Sequence, residues 1–239
     1  MLESILDYEE GLFLFLNSLQ SPMGNQFMWL FSSKIAWVPV AVFFIVVLCY
    51  KNWHRKKELL LLFVAIALVI TLCDQFASTI CKPFFARLRP THHPDFMENV
   101  KTVFDYSGGR YGFISSHAAN AFGFAALTSQ IFKYKFYLVA IYTWAVINSY
   151  SRIYLGVHFI SDIVAGILAG LFFGWIVYKM YVFIHRKFIC NEVSAIDVNN
   201  NNSCQYEGLN YIVYMLILTV VVMAVLSLLY ALRLIPALI

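Results

Sequence analysis

Charged side chains are scarce in this sequence. Only 13% of its 239 residues are Asp, Glu, Lys or Arg, whereas 61% are hydrophobic and the mean hydropathy is +0.72. A soluble globular domain carries about twice that share of charge, so water is not the solvent for most of this chain. The excess of 17 basic over 13 acidic residues is also too small to indicate a nucleic-acid partner.

Cysteine is equally sparse, and the five cysteines lie far apart in the sequence. Their spacing indicates neither a disulfide framework nor a metal-binding motif. A basic segment is missing from the start of the chain, where Glu3, Asp7, Glu9 and Glu10 stand instead. We therefore expect no cleaved signal peptide, and the hydrophobic segments should remain in the mature protein.

Long hydrophobic runs are abundant. A helix needs roughly 20 apolar residues to cross the hydrocarbon layer of a membrane, and runs of about that length occur at 28–50, 58–80, 118–134, 136–154, 159–184 and 209–235. We therefore predict an all-α, polytopic membrane bundle of about six transmembrane helices. The third run holds Ser, Asn and His, so we expect it to lie inside the bundle.

The remaining segments divide the chain into four parts. Residues 1–27 form an amphipathic segment whose apolar stripe includes Leu12, Phe15, Leu16 and Leu19, which fits a helix on the membrane surface or a short buried helix equally well. Residues 28–187 form the membrane domain, residues 188–208 a polar cytoplasmic linker, and residues 209–239 an additional C-terminal transmembrane helix.

The basic residues predict the orientation in the membrane. If the spans alternate, one side receives the basic connections at 51–57, 133–135 and 186–187, and the positive-inside rule makes that side the cytoplasm. The connection from Lys82 to Ser116 and the turn at 154–158 then lie together on the opposite side, with both chain ends. That outer connection nevertheless carries Lys82, Arg87, Arg89, Lys101 and Arg110. Such an exception indicates an anionic ligand.

Three cations and two serines in this region are suited to binding phosphate. Lys82, Arg89 and Arg152 can neutralise a phosphate group, arginine through its planar fork and lysine as a point charge. Ser115 and Ser116 precede the third span, where free backbone N–H groups and the helix dipole favour an anion. Together these residues predict a phosphate site that is electrostatically organised before the ligand binds.

Two histidines can supply the chemistry. His158 and Asp162 are four residues apart, so on a helix they share a face and the carboxylate can hold one imidazole nitrogen protonated. The other nitrogen is then free to attack phosphorus. His117, on another span, can give a proton to the departing oxygen.

These residues fall in three ordered motifs that resemble the signature of the type-2 phosphatidic acid phosphatase (PAP2) superfamily, which also includes vanadium haloperoxidases. Lys82, Arg89 and Pro90 match Lys-x6-Arg-Pro, and Ser151, Arg152, His158 and Asp162 match Ser-Arg-x5-His-x3-Asp. The middle motif, Pro-Ser-Gly-His, is matched only by Ser115 and His117. Ile114 and Ser116 replace its proline and glycine, which makes the Ser116 contact the weakest assignment.

The resemblance implies a fold and a set of roles. It implies the phosphatase and haloperoxidase type of helical core, with His158 as the phosphohistidine nucleophile, Asp162 as its orienting partner and His117 as the general acid. It makes Lys82, Arg89, Ser115, Ser116 and Arg152 the phosphate ligands. It implies no metal and no cofactor.

Other polar residues have simpler interpretations. Arg87 is expected to contact lipid headgroups at the membrane interface. His92, His93 and Asp95 could suggest a metal site, but adjacent histidines on a loop point apart, so a solvated or substrate-contacting loop is favoured. Gly108-Gly109-Arg110 predicts a turn, and Asp74 is expected to be a polar residue packed within the bundle.

The sequence therefore predicts a lipid phosphate phosphatase in a bacterial inner membrane, with its site facing the periplasm. Undecaprenyl diphosphate and lipid A phosphate are the favoured substrates, and phosphatidylglycerol phosphate or phosphatidic acid is an alternative. A non-catalytic lipid carrier would need the cations but not the two histidines. A haloperoxidase is disfavoured because those relatives are soluble. The oligomeric state stays open.

Overall fold

The computed structural model describes residues 2–189 and 206–238, and most of that part of the chain is helical apart from the segment 86–115. The helices are α1 (Leu2–Ser18), α2 (Pro22–Ser32), α3 (Val38–Lys51), α4 (Lys56–Gln75), α5 (Lys82–Phe85), α6 (Ser116–Phe132), α7 (Lys135–Tyr154), α8 (Ile160–Phe188) and α9 (Leu209–Ala231). A π-helical stretch, Phe76–Cys81, joins α4 to α5. The predicted all-α fold class is confirmed, while most of the predicted linker 188–208 lies outside the described residues.

Three of the described helical stretches are long and apolar enough to cross a membrane, namely Trp53–Phe85, Ile160–Phe188 and Leu209–Ala231. The bent pair formed by Pro22–Ser32 and Ile35–Lys51 would make a fourth. Helix α6 has only 17 residues, and α7 carries polar Asn, Ser and Arg side chains toward its C-terminal end. Both correspond to predicted spans, and the count of about six remains a prediction.

The first predicted span, 28–50, is not a continuous helix. Helix α2 ends at Ser32 and the chain bends by 71° before α3. Ser33 is extended, with φ −73° and ψ 125°, and Pro39 lies in the first turn of α3. Proline is tolerated in the first turn but not in a helix interior, which explains why the helix restarts here. The predicted boundary at residues 27 and 28 therefore falls inside α2.

Helix α1 combines the two interpretations that its sequence left open. Phe13 and Asn17 are buried against the bundle, whereas Leu12, Phe15 and Leu19 are exposed. The Asn17 amide Nδ2 donates to the carbonyl oxygens at 153 and 154, over 3.2 and 3.1 Å. These bonds fix α1 to the C-terminal end of α7.

The centre of the bundle is a close crossing of α6 and α8. Gly166, Gly170 and Gly174 recur every fourth residue along α8, so they share one face. A Cβ atom added at Gly170 would lie 2.4 Å from the Ala119 carbonyl oxygen and 2.9 Å from the Gly123 nitrogen. Small residues of this kind let membrane helices approach through their backbones, and here they set the position of the N-terminal ends of α6 and α8.

We predict that Gly170→Ala destabilises the protein, because the added methyl group meets backbone atoms that cannot rotate away. The expected cost is about 1–3 kcal/mol, measured as a lower Tm of the purified protein in detergent. Gly11→Ala is the matched control, since an added Cβ there has nothing within 4 Å. Equal Tm values for Gly170→Ala and wild type would contradict the close crossing.

Candidate active site

A short antiparallel pairing brings the first motif next to the segment that leads into α6. Leu88 and Tyr111 form an isolated β-bridge, and the Arg89 backbone N–H donates to the Arg110 carbonyl over 3.1 Å. Ala86, with φ 46°, ends α5 in the left-handed region and turns the chain toward this pairing. The first and second motifs are consequently held side by side.

Backbone and side-chain bonds link the start of α6 to both other motifs. The Ser115 N–H donates to the Asp162 carbonyl over 3.0 Å. The Ser115 hydroxyl oxygen caps the helix by accepting from the Ala118 N–H, which leaves its own proton available to a ligand. Lys82 Nζ donates to Ser116 Oγ over 3.5 Å. All three motifs therefore meet at the beginning of α6.

The turn between α7 and α8 presents the histidine and carboxylate predicted to act together. His158 Nδ1 lies 3.2 Å from Asp162 Oδ2, and both side chains are buried. The same oxygen accepts the Phe159 backbone N–H over 3.1 Å. A Cβ at Gly112 would lie 2.8 Å from Asp162 Oδ2, so only glycine fits against this carboxylate without displacing it.

Arg89 and Arg152 are both buried and only partly hydrogen-bonded. Arg152 donates to Ser32 Oγ and, over 3.3 Å, to the Tyr106 hydroxyl, while Arg89 Nε donates to the Tyr111 carbonyl over 3.1 Å. Among the described residues, Arg89 Nη1 and Arg152 Nε have no hydrogen-bond partner. Buried donors are almost always paired in native proteins, so these two N–H groups are suited to a bound anion.

The electrostatic surroundings of His158 show that the cations converge on it. Burial, followed by the charges of Arg89, Arg152, Lys82 and Arg87, holds the pKa of His158 well below its ordinary value. The imidazole is therefore neutral near pH 7, which is the form that can act as a nucleophile. The structure thus brings this histidine and the predicted cations into one region.

His117 lies in the first turn of α6, within electrostatic reach of His158, Arg152 and Arg89. Its side chain is half-buried. The second predicted histidine therefore borders the same group of cations as the first, but from a different helix.

The structure corrects the interpretation of Arg87. Its side chain is buried, with only 3% of the residue exposed, so the predicted headgroup contact is wrong. Arg87 Nη1 lies 2.8 Å from Asp162 Oδ1, and Nη2 lies 2.7 Å from Glu9 Oε1. Residues two apart in an extended segment project to the same side. The position of Arg87 two residues before Arg89 was therefore a usable signal.

Glu9, Ser32 and Tyr106 also reach the site without having been predicted. An acidic residue on the buried face of α1, four residues before Phe13, could have drawn attention to Glu9. Ser32 and Tyr106 bond to Arg152 from segments distant in sequence, and no local pattern marks them.

The histidine pair at 92 and 93 does not form a metal site with its neighbours. His93 is buried, and its ring packs edge-on against Phe96 at a centroid distance of 5.0 Å. Its Nδ1 accepts the Asp95 backbone N–H over 3.3 Å. The solvated-loop interpretation is thus wrong for His93, and within residues 2–189 and 206–238 no group of three His, Cys, Asp or Glu residues could hold a metal.

A largely apolar cavity of about 610 Å³ begins beside the site. Ser116, His117 and Asp74 line the end of the cavity that is nearest the site. The cavity extends between the helices as far as Tyr137 and Ile212, which lie near the N-terminal ends of α7 and α9. Asp74 is therefore a cavity-lining residue. The site opens into a space suited to hydrocarbon.

Comparisons with known sequences all identify phosphatases of one superfamily. The PAP2 superfamily pattern matches residues 58–186. The chain is 46% identical over 188 residues to a lipid A 4′-phosphatase of Porphyromonas gingivalis, covering 79% of each protein. It is 40% identical over 179 residues to a lipid A 4′-phosphatase of Bacteroides thetaiotaomicron, covering 74% of this chain and 79% of the relative.

Two solved structures share the fold. The PAP2 type phosphatidylglycerolphosphate phosphatase from Bacillus subtilis superimposes with a TM-score of 0.57 at 19% identity, covering 77% of this chain and 89% of that one. Aquifex aeolicus LpxE superimposes with a TM-score of 0.51 at 26% identity, covering 72% of this chain and 95% of that one. The resemblance predicted from the three motifs is confirmed, and the chain belongs to the PAP2 superfamily.

Proposed function

We propose that this membrane phosphatase removes the 4′-phosphate group from lipid A through a phosphohistidine intermediate. The observation that carries the proposal is the buried His158–Asp162 pair, surrounded by Lys82, Arg89 and Arg152. The identity of 46% and 40% to two lipid A 4′-phosphatases supports this substrate over other lipid phosphates.

His158 takes the role of nucleophile in this proposal. Asp162 Oδ2 accepts a hydrogen bond from the Nδ1–H group of His158, so Nε2 carries the lone pair that attacks phosphorus. The bond between phosphorus and Nε2 forms as the bond to the lipid oxygen breaks. Because burial and the surrounding cations keep the imidazole neutral, no proton has to be removed before attack.

His117 takes the role of general acid and then of general base. As the imidazolium, which the negative charge of the bound phosphate favours, it gives a proton to the departing lipid oxygen. The neutral ring then takes a proton from the water that attacks the phosphohistidine. Inorganic phosphate leaves and His158 returns to its neutral form. The placement of His117 in the first turn of α6, on a different helix from His158 and at the end of the cavity nearest the site, supports these two roles.

The phosphate ligands in this proposal are Lys82, Arg89, Arg152, Ser115 and Ser116. The N–H groups without partners on Arg89 and Arg152 can bind phosphate oxygens and the charge that develops on them during transfer. Ser115 and the free N–H groups at the start of α6 can add further donors.

The apolar cavity supports a lipid substrate. It begins at Ser116 and His117 and continues between the helices, so a hydrocarbon chain could be held there while the phosphate lies among the cations. A carrier that only binds lipid would need the cations but would gain nothing from a buried histidine–carboxylate pair. We therefore favour catalysis over transport.

The distribution of charge supports a site that faces the periplasm. The site is built from the C-terminal ends of α5 and α7 and the N-terminal ends of α6 and α8. The connections on the other side of the bundle, between α3 and α4, between α6 and α7 and at the end of α8, carry Lys51, Arg55, Lys56, Lys57, Lys133, Lys135, Arg186 and Lys187. By the positive-inside rule those ends face the cytoplasm of a bacterial inner membrane.

A substrate panel tests the lipid assignment. We expect purified protein in detergent to release phosphate from bisphosphorylated lipid A with a higher kcat/KM than from undecaprenyl diphosphate, phosphatidylglycerol phosphate or a water-soluble phosphate monoester. Mass spectrometry of the product should locate the loss at the 4′ position. Faster hydrolysis of undecaprenyl diphosphate would overturn the choice of lipid, and equal hydrolysis of the soluble ester would overturn the lipid role.

The nucleophile assignment predicts that His158→Ala neither turns over nor traps labelled phosphate on the protein after rapid denaturation at high pH, where phosphohistidine survives. His117→Ala should slow turnover by about 10²–10⁴-fold, the usual contribution of a general acid or base. His54→Ala is the control, since His54 is exposed at the opposite end of the bundle. Labelled protein from His158→Ala would show that another residue is the nucleophile.

The cavity predicts a steric effect on lipid binding. Ala67 lines the cavity from α4, so Ala67→Phe should raise the KM for lipid A several-fold, roughly what losing one buried CH₂ group would cost. Val64→Phe on the exposed side of the same helix is the matched control. If both variants give the wild-type KM, the hydrocarbon chain does not occupy this cavity.

A further inference from the structure

The carboxylate of Asp162 has two oxygen atoms with separate partners. Oδ2 faces His158 Nδ1 at 3.2 Å, whereas Oδ1 accepts from Arg87 Nη1 over 2.8 Å. Two contacts on different oxygens leave the carboxylate little freedom to rotate. The direction in which it presents Oδ2 to the imidazole thus depends on Arg87.

Arg87 is in turn held from several directions. Its Nη2 donates to Glu9 Oε1 over 2.7 Å, and its Nη1 also donates to Ser161 Oγ over 2.6 Å. The guanidinium carbon lies 4.7 Å from the centre of the Phe159 ring. A planar, multiply bonded arginine is well suited to holding a carboxylate in one orientation.

Glu9 binds the first turn of α8 as well as Arg87. Its Oε2 accepts the Ser161 backbone N–H over 2.7 Å, and its Oε1 accepts from the Ser161 hydroxyl over 2.7 Å. Ser161 is the residue immediately before Asp162. Glu9 therefore reaches Asp162 both through Arg87 and through the backbone of α8.

Arg87, Glu9 and Asp162 form one buried cluster of charges and hydrogen bonds. All three side chains are buried, and one cation lies between two carboxylates. Removing the Glu9 side chain, which α1 contributes, would leave Arg87 Nη2 and the Ser161 N–H without their acceptors. The orientation of Arg87 therefore depends on Glu9.

We propose that Glu9 and Arg87 are positioning residues for the phosphatase reaction, acting through Asp162 on His158, and that α1 is thereby a component of the active site. This inference rests on the proposed function. Glu9 lies outside residues 58–186, the region matched by the family pattern. Both terminal nitrogens of Arg87 are engaged by Glu9, Ser161 and Asp162, and only its Nε has no partner among the described residues. Arg87 is therefore assigned to the carboxylate and not to the phosphate.

The first experiment compares Glu9→Gln with Glu10→Gln, an exposed neighbour on the same helix. We expect Glu9→Gln to lower kcat by about tenfold or more, as loss of an outer-sphere orienting partner commonly does. Its KM and its inhibition by inorganic phosphate should stay near wild type, because the phosphate ligands are untouched. Glu10→Gln should match wild type in all three, and Tm values in detergent should show that both variants are folded.

The second experiment is a double-mutant cycle with Arg87→Gln and Asp162→Asn. If Arg87 acts through Asp162, the double variant should lose no more kcat than Asp162→Asn alone, because coupled residues are not additive. Arg87→Lys keeps the charge without the fork and should recover part of the loss. If Glu9→Gln has a lowered Tm, Arg87→Lys provides a second test of the positioning role of Glu9 and Arg87.

Several outcomes would overturn the inference. The first is an unchanged kcat in folded Glu9→Gln. The second is a raised KM with weakened inhibition by inorganic phosphate at constant kcat in Arg87→Lys. The third is additive losses in the double-mutant cycle. Wild-type protein serves as the separate check on the proposed function. If wild type releases no phosphate from any lipid, the proposed function fails. If wild type and Glu9→Gln are equally active, only the positioning role of Glu9 and Arg87 is overturned.

Discussion

The buried carboxylate of Asp162 is the interaction on which the rest of the site depends. An isolated carboxylate is costly to bury, and here its charge is compensated by Arg87 on one oxygen and by His158 and a backbone N–H on the other. Its backbone carbonyl accepts the N–H of Ser115, the residue that caps α6. One residue therefore fixes His158, the proposed nucleophile, and the start of the helix that supplies the serines and His117.

The bundle places this carboxylate at one end of the membrane helices. The close crossing of α6 and α8, made possible by Gly166 and Gly170, brings the N-terminal ends of both helices together. Free N–H groups and the dipoles of those ends favour an anion, and the cations of the loop after α5 add to that field. An apolar cavity adjoins these helix ends, and in the proposed function it holds the hydrocarbon part of the lipid.

Much of this could be predicted from sequence because it rests on local patterns. Hydrophobic runs gave the helices, and three motifs with fixed spacing gave the residues that the structure brings together around His158. The break at Ser33 was missed because the apolar run continues through it, although Pro39 was a signal. The bonds from Glu9 to Arg87 and from Ser32 to Arg152 join residues 78 and 120 positions apart. Only tertiary packing creates such contacts, so no spacing rule reveals them.

An experimental structure with bound orthovanadate tests the central claim most directly, because vanadate adopts the geometry of the phosphoryl-transfer transition state. The account predicts vanadium within bonding distance of His158 Nε2, with its oxygens hydrogen-bonded to Lys82, Arg89 and Arg152 and with His117 beside the apical oxygen on the opposite side. Vanadate bound elsewhere in the protein, or bonded through a different residue while His158 Nε2 remains apart, would contradict it.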